Sequence, residues 1–267
     1  MNLDLPLAAA RNLGTHSTWI QARAEGMRAH ITPRLSMGDS GLATDTFNII
    51  SGARLTGPSS SREVQDAIDW YRGRPFSWWV SPADLPAELP SILEAAGLHR
   101  VAEETAMACD LRRLEDSADR PHDLIVTQVR SPTDLDTFAE LLAGLSDPPD
   151  TLIQEFYASG ARCLLTAECP LRLYLGRRDG TPDATSEVTL AHGVAGLYNV
   201  STAAPHRGQG IGTAMTVFPL LEAMGEGVRY GILQAEGEAR RVYARVGFAS
   251  AGVVAEYKPE AAELGAP

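Results

Sequence analysis

The chain has 267 residues, 44% apolar and 21% charged, with a formal net charge of −11. That length suits two domains, and no run reaches the roughly 18 apolar residues of a membrane span, so no membrane partner is expected. Acidic residues outnumber basic ones 16 to 12 before Pro121 and 18 to 11 from it onward, with no basic stripe, which argues against a nucleic-acid partner.

Met1 is followed by no basic segment, and Asp4 and Pro6 interrupt the apolar residues, so the start does not read as a signal peptide. Residues 5–29 carry a weak helical pattern, and 47–55 alternate as a strand. A helix over 61–72 is expected, with Ser61 as N-cap and Val64, Ile68 and Tyr71 on one face. The aromatic run 76–80 reads as a strand, 83–96 as a helix stopped by Gly97, and 101–111 as a strand. Trp70, Trp78 and Trp79 suggest core packing, or alternatively the wall of an acceptor pocket.

The charged, proline-containing stretch around 113–122 reads as a linker between a first domain, 1–112, and a second, 123–258. In the second, a helix is expected at 133–144, followed by a segment around 151–158. Strands follow at 171–177, 184–191 and 194–202, then a glycine-rich turn and a helix to about 224. Pro219 should kink that helix or end it early. A strand at 230–234, a helix at 238–246 and a strand at 251–257 complete the order, with 259–267 an expected disordered tail. Gly97-Leu98 and Gly247-Phe248 sit 150 residues apart in segments that both run helix, glycine, large apolar residue, turn, strand. The echo implies two related domains. Cys109, Cys163 and Cys169 are sparse, odd in number and without metal-like spacing, so reduced thiols, a cytoplasmic setting and no metal are expected.

The most informative segment is Arg207-Gly208-Gln209-Gly210-Ile211-Gly212-Thr213, where a strand passes into a helix. Glycines let the backbone approach a ligand, and free N–H groups at a helix start favour an anion. No P-loop lysine follows, and the spacing is not that of a dinucleotide fingerprint. A second pattern, Tyr243-x-x-x-Gly247-Phe248, closes the last helix. Tyr243 there is either an amphipathic packing residue or, with an ordinary phenol pKa of about 10, a proton donor.

These two patterns resemble the GCN5-related N-acetyltransferase (GNAT) superfamily, whose signature is Arg/Gln-x-x-Gly-x-Gly/Ala after its fourth strand. The resemblance implies an α/β (α+β) fold of two GNAT-like domains, each a mixed, mostly antiparallel sheet flanked by helices. The first domain would be degenerate, lacking any glycine-rich turn between strand and helix and carrying Leu93 where the second carries Tyr243. It further implies that acetyl-CoA is cosubstrate, with its pyrophosphate on the backbone of Gln209, Gly210, Ile211, Gly212 and Thr213, flanked by Arg207 and Gly208. The pantetheine would pair with Val200, Ser201 and Thr202, and Tyr243 would protonate the leaving thiolate. The expected activity is acyl-CoA-dependent N-acetyl transfer to a small-molecule amine by a monomer or homodimer. The alternative is a CoA-binding regulatory or scaffolding module without turnover. Relatives often carry asparagine seven residues before the tyrosine, where this chain has Glu236. No single base stands out; Glu187, His192, Tyr198 and Glu236 flank the turn.

Overall fold

The computed structural model describes residues 3–115 and 121–260. In chain order, the elements begin α1 (Leu5–His16), β1 (Arg28–Ile31), β2 (Ser36–Asp39), β3 (Ile49–Ser51), α2 (Ser60–Trp70), β4 (Ser77–Val80), α3 (Leu89–Ala95) and β5 (Leu98–Asp110). They continue with β6 (Leu124–Gln128), α4 (Pro132–Ala143), α5 (Thr151–Leu164), β7 (Leu171–Arg178), β8 (Thr181–Ala191) and β9 (Val194–Thr202). The last are α6 (Ile211–Gly225), β10 (Tyr230–Ala235), α7 (Ala239–Arg245) and β11 (Ala249–Pro259). The residues fall into two compact units: those up to 105 together with those from 252 onward, and residues 106–251. Of the expected linker and tail, 116–120 and 261–267 lie outside the described residues; Leu111–Arg113 forms a 3-10 turn and Pro259 closes β11.

In the first unit the strands run β1-β2-β3-β4-β11, with β11 beside β5. The pairs β1/β2, β2/β3 and β4/β11 are antiparallel, and β3/β4 is parallel. Asp4 caps α1 by accepting a hydrogen bond from Leu7 N at 3.2 Å. The helix expected to reach residue 29 stops at His16, and β1 takes residues from 28 onward. The cause is tertiary: a Cβ at Gly38 would lie 2.1 Å from the Ser17 carbonyl oxygen, so β2 packs closely against the chain just after α1. Ser61 is not the cap of α2. The helix starts at Ser60, Ser59 stands at the cap position without a side-chain capping bond, and Ser61 is an exposed first-turn residue. Val64, Tyr71, Trp78, Leu89 and Leu93 make the fully buried centre of this unit. Val64, Leu89 and Leu93 each contribute about 1.5–3 kcal/mol by leaving water.

In the second unit the order is β5-β10-β9-β8-β7-β6. The β6/β7, β7/β8 and β8/β9 pairs are antiparallel, and β9/β10 is parallel. Side-chain alternation along β8 separates two layers. Val188 joins the core under α6, with Tyr174, Leu197, Met215 and Leu220, while Glu187 turns toward α5. On that second face Phe138 of α4 meets Tyr157 of α5 edge-on, ring centroids 5.3 Å apart. Ser131 starts α4 by accepting from Asp134 N at 3.1 Å. Helix α6 does not end early at Pro219 but continues to Gly225. Val217, Leu220 and Ala223 are buried on its core face, and this packing outweighs the roughly 3 kcal/mol that an interior proline costs. No helix among the described residues is long and apolar enough to cross a membrane.

Candidate active site

Strands β9 and β10 pair over three residues only, Val194, Ala195 and Gly196 against Tyr230, Gly231 and Ile232. Beyond them β9 continues to Thr202 and β10 to Ala235 without pairing, so the two strands part. The parting coincides with a bulge. Thr185 pairs with Ser201 and Glu187 with Tyr198, so Ser186 of β8 faces both Asn199 and Val200. Asn199 takes φ 50°, a left-handed value that asparagine tolerates better than most residues. Thr185 fixes the bulge from beside it: its Oγ1 donates to the Asn199 carbonyl at 2.9 Å and lies 2.7 Å from Ser201 Oγ. Val200, Ser201 and Thr202 therefore belong to a stretch of β9 whose β10 side offers main-chain groups that β10 does not use.

From Thr202 the chain turns through a short 3-10 segment, Ala204–His206, into the glycine turn. Gly208 and Gly210 adopt φ of 75° and 81°, where a side chain would be strained. Gly210 is the N-cap residue of α6, and no side chain caps that helix. A Cβ at Gly208 would meet nothing within 4 Å, and one at Gly212 would approach Thr202 Oγ1 only to 3.8 Å. The backbone of Gln209, Ile211 and Thr213 thus surrounds an accessible helix start, where the aligned peptide dipoles favour negative charge. Arg207 Nε donates to the Thr202 carbonyl at 3.1 Å, tying the turn to the end of β9. Arg178, from the β7–β8 hairpin, donates to Gln209 Oε1 at 2.6 Å and lies 3.2 Å from Asp123 Oδ2. Sequence reading missed Arg178. The hairpin signal around it was visible, but nothing local shows that the hairpin reaches Gln209.

Behind the bulge lies a buried polar group. Glu187 and Tyr157 are 1% and 2% exposed, and Tyr157 Oη donates to Glu187 Oε2 at 3.1 Å. Burial first, and then the adjacent Glu187 carboxylate, push the Tyr157 phenol well above its ordinary range, so it remains a donor. Asn199 Nδ2 donates to both, at 3.0 Å to Glu187 Oε2 and 3.1 Å to Tyr157 Oη. Tyr198, cross-strand from Glu187, is also raised, by burial and then by that carboxylate.

Tyr243 lies on α7, half-buried against the α6 core, with its ring edge-on to Phe248 at 6.1 Å. The turn after α7 needs Gly247: its φ is 105°, and a Cβ there would come within 3.1 Å of the Arg113 carbonyl oxygen. Glu236 is exposed just past the end of β10. His192 occupies the exposed β8–β9 turn with φ 55°, seven residues from Asn199, which is about 23 Å along a strand. His206 Nδ1 is 2.9 Å from Asp183 Oδ1, although off the angle of a true hydrogen bond. Trp78 is fully buried in the first unit's core, whereas Trp70 is half-buried beneath the Arg28 guanidinium, 4.1 Å from its ring centroid.

No family profile and no curated protein matches the sequence. Solved structures do match the fold. A GCN5-related N-acetyltransferase from Kribbella flavida aligns with 99% of this chain and 98% of its own, at TM-score 0.70 and 20% identity. A tandem GNAT protein from the clavulanic acid biosynthesis pathway aligns over 87% of this chain and 79% of its own, at TM-score 0.60 and 19% identity. A GCN5-related N-acetyltransferase from Sphaerobacter thermophilus aligns over 95% and 90%, at TM-score 0.58 and 16% identity. The chain has the fold of the GNAT acetyltransferases.

Proposed function

We propose that the protein is an acyl-CoA-dependent N-acyltransferase, transferring an acetyl group from acetyl-CoA to the amine of a small molecule. The observation that carries this reading is the parting of β9 from β10 beside the uncapped start of α6. The donors there fit the cosubstrate: a turn with two left-handed glycines suits a diphosphate, and an unpaired strand side suits the amides of pantetheine. Gln209, Gly210, Ile211, Gly212 and Thr213 would hold the diphosphate, with Arg207 and Gly208 shaping the turn. Val200, Ser201 and Thr202 would hold the pantetheine.

When bound, acetyl-CoA supplies an activated acyl group as a thioester. The protein's part is to orient it and to manage charge. Backbone N–H groups at the bulge would polarise the acyl carbonyl, an oxyanion-type contribution. The amine nitrogen bonds to the acyl carbon as the carbon–sulfur bond breaks, and the amine's surplus proton leaves to water. Tyr243 gives its phenolic proton to the departing sulfur and recovers one from solvent. The acidic surface on either side of Pro121 favours approach of a cationic amine. The first unit keeps the scaffold and takes no part in holding CoA.

Calorimetric titration with acetyl-CoA, followed by thiol release across a panel of amines, tests the reading. Micromolar binding with amine-dependent thiol release is expected. Binding without release from any amine would leave a CoA-sensing or scaffolding module instead, and absence of binding would remove both readings.

A further inference from the structure

The buried group behind the bulge has a directional logic. Glu187 is acceptor-only as a carboxylate, so the amide of Asn199 must present Nδ2 to it rather than Oδ1. The same Nδ2 lies within donating distance of Tyr157 Oη, whose own hydrogen goes to Glu187. Nδ2 is thereby held inward, and Oδ1 is left to accept from outside the triad. Among the described residues nothing donates to it. Asn199 itself is exposed, at a left-handed φ of 50°, three residues beyond the last β9/β10 pair. An acceptor of fixed orientation on an exposed residue thus stands on the strand where it has parted from its neighbour, backed by a carboxylate that is costly to bury.

We propose that Asn199 Oδ1 receives an N–H of the acyl-accepting amine, and that Glu187 and Tyr157 are positioning residues that hold it outward. The proposal rests on the acyltransferase reading and names the substrate class more closely. A primary amine can keep one N–H on Oδ1 while its lone pair is aimed at the acyl carbon; a tertiary amine, once neutral, has no hydrogen to offer. A flipped amide would present N–H groups that engage the neutral amine's lone pair and turn it away from the acyl carbon. A carboxylate at 187 prevents the flip, whereas a glutamine would permit it.

The test uses the whole chain, with butylamine, phenethylamine and 1,4-diaminobutane as probes and acetyl-CoA affinity measured separately by calorimetry. In protein labelled with 15N-asparagine, the Asn199 side-chain amide signals should shift as each amine is added. At saturating acetyl-CoA, N199A should raise the amine KM roughly tenfold while acetyl-CoA affinity stays within about twofold. E187Q should raise KM by a smaller factor, and E187Q combined with N199D, which reverses donor and acceptor, should bring it back toward the wild-type value. A merely structural role would not give that rescue or confine the change to the amine's KM. Unmoved Asn199 signals with every amine, or an unchanged amine KM in N199A, would overturn the assignment while leaving the acyltransferase reading standing if acetyl-CoA binds and an amine releases its thiol. Failure of the wild-type chain to bind acetyl-CoA would remove that reading and this assignment together.

Discussion

Both units contain a short parallel strand pair followed by a turn and a helix, yet what happens past the pair differs. In the second unit β9 and β10 separate after Gly196 and Ile232, and their pairing does not resume among the described residues. In the first, β3 and β4 pair at Ile49, Ile50 and Ser51, and the chain beyond them is sewn back together. Leu85 N donates to the Ala53 carbonyl at 2.8 Å, Leu55 N to the Leu85 carbonyl at 2.9 Å, and Arg54 Nη1 to the Ala83 carbonyl at 2.9 Å. Residues 81–86 thus engage peptide groups at a place where the second unit's two strands leave theirs unpaired with each other. A strand–turn–helix is a scaffold; unsatisfied main-chain donors at its opening are what make it a binding site.

The strongest blow to this contrast is Gly210→Glu. It places a side chain at φ 81° and a negative charge in the turn, and should weaken acetyl-CoA binding by about a hundredfold or more. Retained affinity in calorimetry would misplace the cradle. Tyr243→Phe probes chemistry rather than binding: kcat should fall about 10- to 100-fold with acetyl-CoA affinity nearly kept. An unaltered kcat would take Tyr243 out of the mechanism.

Asp84 sharpens the comparison from the other side, because its carboxylate holds the closing loop through Ser81 N at 3.1 Å and Ser81 Oγ at 2.7 Å. Burial raises its pKa to about 6. A raised carboxyl pKa means that folding favours the protonated form. Its stabilising contribution is therefore full below about pH 4 and lost as pH rises through about 6, a change of up to about 3 kcal/mol. Melting temperatures of wild type and Asp84→Asn should accordingly diverge between pH 4 and 7, the wild type losing ground; parallel curves would contradict the burial argument. The smallest effect is expected at a helix start that the protein caps for itself. Ser131→Ala should destabilise the second unit by about 1 kcal/mol in denaturant titration, with acetyl-CoA affinity unchanged.

The readable parts of the molecule were those governed by local rules. β9 was found where it was expected, at Val194–Thr202, and the glycine turn announced a helix start that the structure has at Ile211. β1, β2 and β6 escaped notice because they are short, and β6 buries neither side fully. The segment expected around 151–158 is a helix that runs on to Leu164, with Tyr157, Gly160 and Leu164 buried along it. The triad of Tyr157, Glu187 and Asn199 was beyond reach for a different reason. Its members come from α5, β8 and β9, and only the pairing of Glu187 with Tyr198 and the bulge that follows bring Asn199 over the carboxylate.

One more consequence follows from where β11 sits. Its residues from 252 onward belong with the first 105, pairing Ala255, Glu256 and Tyr257 to Val80, Trp79 and Trp78. On the ribosome that strand emerges only after all of residues 106–251. At ordinary elongation rates the nascent first unit waits on the order of 10 seconds with one side of β4 unzipped, a window in which it is open to pairing with other chains.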